Sequence, residues 1–162
     1  MKRLIVLVAV AAVVASASTT AGAAPRPVAA TLDGTATFVV GWCCGSIERL
    51  DGRGVVAGIG AVTFTGSYLH AVNPFLTFVE GQGFTHPYGV ERQLNLTLTA
   101  ANGDTVVIAG STTWSEADPA PPLTWAVVSS TGRFAGGSGS GTYDVRIEGS
   151  AVTITLAGSL RA

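Results

Sequence analysis

The chain has 162 residues, 48% of them hydrophobic and 12% charged, with a formal net charge of −1. Lys2 is the only lysine, which excludes lysine Schiff-base chemistry and a phosphate-loop lysine from the rest of the chain. Beyond residue 23, seven arginines face ten acids, a formal charge of −3 that excludes the basic patch of a nucleic-acid-binding surface.

Lys2 and Arg3 precede an unbroken apolar and small-residue run from Leu4 to Ala17, then an Ala21-Gly22-Ala23 cleavage pattern. An apolar run of roughly 14 residues is too short to cross a bilayer core of about 30 Å as a helix. Residues 1–23 therefore read as a cleaved signal peptide. The protein is expected to be secreted, without stable membrane insertion after cleavage. No cysteine follows the run closely, so no lipid anchor is expected. Residues 24–31, APRPVAAT, read as a flexible linker, and residues 32–162 as a single domain. A chain of that size buries roughly 68% of its unfolded surface, so a core forms without covalent staples.

From there the pattern has period two. Ala36, Phe38 and Val40 alternate with Thr35, Thr37 and Val39; Leu94, Leu96 and Leu98 alternate with Asn95, Thr97 and Thr99. Tyr143, Val145 and Ile147 alternate with Asp144, Arg146 and Glu148, and Val152, Ile154 and Leu156 with Thr153 and Thr155. Such alternation marks half-buried antiparallel strands. Further strand-like segments lie at Val55–Thr65, Phe75–Glu80 and Leu123–Ser129. Asn102-Gly103 predicts a type I′ turn between Gln93–Ala100 and Thr105–Trp114, and Glu148-Gly149-Ser150 joins the last two strands. Ala117–Pro122 is too proline-rich for a central strand. Many short strands with regular turns predict an all-β fold, an antiparallel β-barrel of about eight strands.

Gly41–Ser46 reads GWCCGS and holds both cysteines, Cys43 and Cys44. Redox chemistry of the Cys-x-x-Cys kind needs two intervening residues, and structural zinc needs four ligands. In an oxidising compartment three outcomes remain: a bond between neighbours, a bond to another chain, or exposed thiols. Disulfide Cα atoms usually lie about 4.4–6.8 Å apart against about 3.8 Å for consecutive residues, so a bond between neighbours is a tight, distorted turn. Gly41 and Gly45 give the backbone freedom for it.

Thr131–Gly141 reads TGRFAGGSGSG. A phosphate loop needs a helix N-terminus after it, but an alternating hairpin follows here. The glycines Gly132, Gly136, Gly137, Gly139 and Gly141, with Arg133 and Phe134, read instead as a bend where the sheet curls. TGRFAGGSGSGTY resembles the signature of the allene oxide cyclase and dirigent barrel superfamily, nearest to small secreted bacterial members. Gly52-Arg53-Gly54, Gly58-Ile59-Gly60 and the Ala100–Asp104 hairpin are similar to further parts of that pattern. The resemblance implies an eight-stranded antiparallel barrel. Plant members act as cyclases or guide radical coupling, but none of their functional positions matches a residue here.

Candidate chemistry is sparse. His70 and His86 have no metal-ligand spacing, and neither a metal nor a cofactor is expected. Glu80 and Glu91 flank the loop holding His86; facing the lumen, one of them would carry a raised pKa and act as a general acid. Such residues more often end strands in water. Trp114 and Trp125 flank the proline-rich loop and are placed to stack on a flat apolar ligand, although core packing is their commoner fate. The Ala-, Gly- and Arg-rich composition points to a high-G+C bacterium. The sequence thus reads as a secreted, non-enzymatic binding or structural barrel, with a small apolar ligand as candidate partner. The alternative is an isomerase or cyclase acting on such a ligand in the lumen. For the cysteines, intact mass without reduction is expected to show a monomer two hydrogens light; a covalent dimer would exclude the bond between neighbours.

Overall fold

Side chains on a strand alternate between faces, so a strand with apolar residues at every second position seeks a core on one side only. The computed structural model describes residues 24–42, 45–73, 77–79, 83–85, 89–115 and 118–161. Residues 1–23, read above as a signal peptide, and the pair Cys43 and Cys44 lie outside the described residues. The strands are β1 (Arg26–Trp42), β2 (Gly45–Val56), β3 (Gly60–Asn73), β4 (Thr77–Val79), β5 (Gly83–Thr85) and β6 (Gly89–Ala100). They continue with β7 (Thr105–Ser115), β8 (Thr124–Ser130), β9 (Ser138–Glu148) and β10 (Ala151–Arg161). Eight of them close into an antiparallel barrel in the order β1-β10-β9-β8-β7-β6-β3-β2. The short β4 and β5 pair with each other. The barrel is an up-and-down meander, closed by β1 on β10 through a register from Arg26↔Leu160 to Thr35↔Ala151.

The lumen is a packed core. Leu32, Leu50, Leu94, Leu96 and Ile154 are fully buried, and Phe64 is nearly so. Large side chains lie over glycines of the adjacent strand or the next but one. A Cβ at Gly52 would come within 2.7 Å of the Phe64 ring, one at Gly110 within 2.7 Å of Tyr143, and one at Gly158 within 2.9 Å of Trp125. Large and small side chains thus interdigitate across the lumen. The void ringed by Val56, Leu98, Ile108, Trp125 and Leu156 is about 10 Å³, at the floor of what a single water needs. That part of the lumen has no space for a ligand.

The lower end is closed by the glycine-rich segment. Gly132–Phe134 forms a short 3₁₀ turn that drives Phe134 into the core. The Arg133 guanidinium lies 4.6 Å from the Phe134 ring centroid and donates to the Ile59 carbonyl. The Arg133 backbone N–H donates to Asp104 Oδ2 at 3.1 Å. That bond comes first, and the Asn102 amide second, in holding the Asp104 carboxyl below its ordinary pKa. Gly132 has φ +57°, and a Cβ there would collide with the Asp104 carboxylate.

Several expectations are corrected. Residues 24–31 are not a linker, because β1 starts at Arg26 and buries Val28 and Ala30 against β10, which needs that strand to close the sheet. Val55–Thr65 is not one strand; it is broken by a turn at 57–59, with Gly58 and Gly60 at positive φ. The Asn102-Gly103 turn is not type I′, since Gly103 alone of the pair has positive φ. The Gly103 N–H reaches the Ala100 carbonyl and the Ala100 N–H the Asp104 carbonyl. This is a three-residue loop with glycine at its left-handed position, the next commonest hairpin solution. Phe38 and Val40 are exposed rather than buried, because β1 runs past the top of β10 and has no core beneath it there.

Gly110→Ala tests the interdigitation. The added methyl meets the Thr124 carbonyl and the Tyr143 ring, and the expected cost is ~1–3 kcal/mol in urea unfolding with an unchanged m-value.

Candidate functional site

The parity that sends leucines into the core sends four polar side chains in as well. On β6, Arg92 shares its face with Leu94, Leu96 and Leu98; on β2, Glu48 shares its face with Leu50. Tyr68 on β3 and Tyr143 on β9 are 6% and 5% exposed. In the ring of eight, β3 and β9 stand opposite one another, so the two tyrosines approach from facing walls. Glu48 sits across from Tyr68 in the β2–β3 register. Arg92 lies two places from Leu94, the β6 partner of Tyr68, a diagonal within reach of a long side chain. All four lie toward the upper end, above the leucine and phenylalanine packing.

Their electrostatics show mutual proximity. Burial raises the Tyr68 pKa above its ordinary value, opposed by the Arg92 charge and by a hydrogen bond that Arg92 donates to the phenol oxygen. Burial, reinforced by Tyr68 and opposed by Arg92, pushes Tyr143 up to about 12. Both phenols therefore stay neutral near pH 7 and keep a proton to donate. Among the described residues three buried side-chain atoms have no hydrogen-bond partner: Glu48 Oε2, Arg92 Nη1 and the Tyr143 hydroxyl. An unpaired buried polar group costs about 1–3 kcal/mol, more when charged, so three in one lumen call for a partner. Together they offer an acceptor, a charged donor and a neutral phenol that can do either.

Of the described residues singled out in the sequence, His70 and Trp114 have the inward parity beside this cluster, and Glu91 and Trp125 do not belong to it. Glu91 has the opposite parity to Val90 and Arg92, and it accepts a hydrogen bond from the Gln93 amide on the outer face. Trp125 is a core residue, 4% exposed, with its indole N–H donating to the Thr142 carbonyl at 3.0 Å. Trp114 is half-buried and pairs with Val90 near the upper rim. Phe38, across from Glu48, stands at the same rim. His70 is half-buried and faces Arg92 in the β3–β6 register. Glu80 and His86 lie outside the described residues. Among the described residues no group of three or more His, Cys, Asp or Glu side chains could hold a metal ion. Glu48 and Arg92 were legible in principle: each occupies an inward position of an alternating strand where an apolar residue is the norm.

No protein-family model and no curated protein matches the chain. Among solved structures it is similar to the conserved protein of unknown function RPA1785 from Rhodopseudomonas palustris. The two share 9% identity with a TM-score of 0.51, over 84% of this chain and 97% of that one. At that identity the likeness concerns the fold alone.

The Tyr143 environment has a pH signature. The unfolded phenol loses its proton near pH 10, whereas the folded one holds it to about 12. The folded state therefore binds more protons between those values, and stability, complete below about pH 10, falls as pH rises through that window. Denaturant midpoints across the alkaline range are expected to show this fall, and Tyr143→Phe is expected to flatten it.

Proposed function

We propose that the protein is a secreted, non-enzymatic barrel that binds one small molecule at the upper mouth of its lumen. The carrying observation is the trio of unpartnered buried atoms, Glu48 Oε2, Arg92 Nη1 and the Tyr143 hydroxyl. The packed lower lumen supports a ligand that stays above the tyrosines and does not thread the barrel. Charge favours a neutral head. The Glu48 carboxylate and the Arg92 guanidinium offset each other, so an anion gains from one and loses to the other, and a cation does the reverse. A neutral group with both an acceptor and a donor, such as an amide or a hydroxy-carbonyl, satisfies both. Phe38 and Trp114 at the rim suit a flat apolar body. The glycine-rich TGRFAGGSGSGTY segment supports kinship with the allene oxide cyclase and dirigent superfamily.

The Glu48 carboxylate across from the proton-bearing Tyr68 phenol favours one second reading, an isomerase that moves a proton on such a ligand. Calorimetry with benzamide, benzoate and benzylamine tests the binding reading. Benzamide is expected to bind tightest, and Arg92→Met to weaken it about tenfold to a hundredfold, the loss of one charged hydrogen bond. Absence of binding by all three, together with ordered water on all three orphan atoms in a crystal, would overturn it. Catalytic turnover of a bound hydroxy-carbonyl compound, lost in Glu48→Gln, would replace it with the second reading.

A further inference from the structure

Closing a barrel abolishes edges only where both neighbours reach as far as the strand itself. β1 outruns β10. Their pairing ends at Thr35↔Ala151, and the last contact is the Ala36 N–H to the Ser150 carbonyl at 2.8 Å, where β10 turns back into β9. From Thr37 to Trp42, β1 pairs with β2 on one side; among the described residues no strand takes its other side.

This edge lacks the usual protections. Between Asp33 and Glu48 the sequence carries no charge. Phe38, Val39 and Val40 are 66%, 58% and 47% exposed. A register shift between Phe38 and Val40 sets Phe38 across from the inward-facing Glu48 and Val40 across from Ile47. Apolar side chains therefore emerge on both faces of the projecting ribbon. The comparable edge of β9 above Thr142, beyond its last pair with β8, carries Asp144, Arg146 and Glu148, the last two ion-paired. Charges of that kind block edge-to-edge pairing. The β1 edge has only its bulge.

An occupant must present a row of backbone N–H and C=O groups and cover apolar side chains on both faces, and a β-strand of the same character does this. We propose that the Thr37–Trp42 edge of β1 pairs antiparallel with the same edge of a second copy, forming a two-fold dimer. A two-fold axis there sets Phe38, Val39 and Val40 of one copy against the same residues of the other. The segment is uncharged, so the net negative chain meets no like-charge repulsion at the contact.

Sedimentation velocity on the exported protein tests this across a dilution series, in reductant so that Cys43 and Cys44 cannot join chains covalently. The wild type is expected to be a reversible dimer. Val40→Lys, which sets a charge on each copy at the contact, is expected to raise the dissociation constant about tenfold or more. Val128→Lys alters a still more exposed valine on β8, away from the edge, and is expected to leave the dimer intact. Unchanged near-ultraviolet circular dichroism verifies that each variant is folded. A wild type that is monomeric throughout the series, or a dimer that Val40→Lys leaves unchanged, overturns the proposal. So does dissociation by Val128→Lys alone.

Discussion

The pairing of β1 with β10 is the constraint on which everything else rests. A meander of eight strands is an open sheet until its first and last strands meet, and an open sheet of this length exposes one whole apolar face. The register from Arg26↔Leu160 to Thr35↔Ala151 converts that face into a lumen and gives Leu32, Ile154 and Leu156 a common interior. The segment preceding Leu32, which reads as a proline-marked linker, therefore does structural work. Val28 and Ala30 fill the lower lumen, and Pro27 is tolerated because it stands one place from the start of the strand.

Closure then fixes how the interior is filled. A ring of eight strands is wide enough for one layer of large side chains from facing walls, provided the strands beneath them give way. Glycine supplies that concession at Gly52, Gly110 and Gly158, under Phe64, Tyr143 and Trp125. The high glycine content is thus mainly a packing requirement of a narrow lumen, and the left-handed turns use a minority of it. Tyr143 links this packing to chemistry. The missing side chain at Gly110 makes room for the Tyr143 ring, whose hydroxyl feels Tyr68 and Arg92 from across the lumen.

The fold was legible because alternation is a long-range signal repeated in most strands, and each repetition votes for the same architecture. Turn detail was less legible. The dipeptide Asn102-Gly103 fits two hairpin solutions, and the Asp104 carboxylate, tied to Asn102 and to the Arg133 backbone 29 residues on, sits in the one that forms. The site was hardest. Glu91 drew attention as an acid near a histidine, yet its neighbour Arg92 has the inward parity. Reading parity against residue type, position by position, would have raised Glu48 and Arg92. That Arg92 meets Tyr143 is a property of barrel closure, since 51 residues separate the two and only the ring order sets their strands across the lumen.

The upper mouth and the β1 edge share one origin. Where β10 turns at Gly149-Ser150, the wall on that side drops, and β1 continues with β2 alone. The wall ends near Glu48, and the continuation is the unpaired apolar edge. Phe38 belongs to both: it faces Glu48 in the ladder and stands next to Val39 and Val40 on the ribbon. A second copy seated on that ribbon raises the wall that β10 leaves low and draws Phe38 out of water at the rim. Ligand binding at the mouth and pairing at the edge then compete for, or share, the same aromatic surface. Were both to occur, sharing Phe38 would link them, each changing the affinity of the other by the same factor.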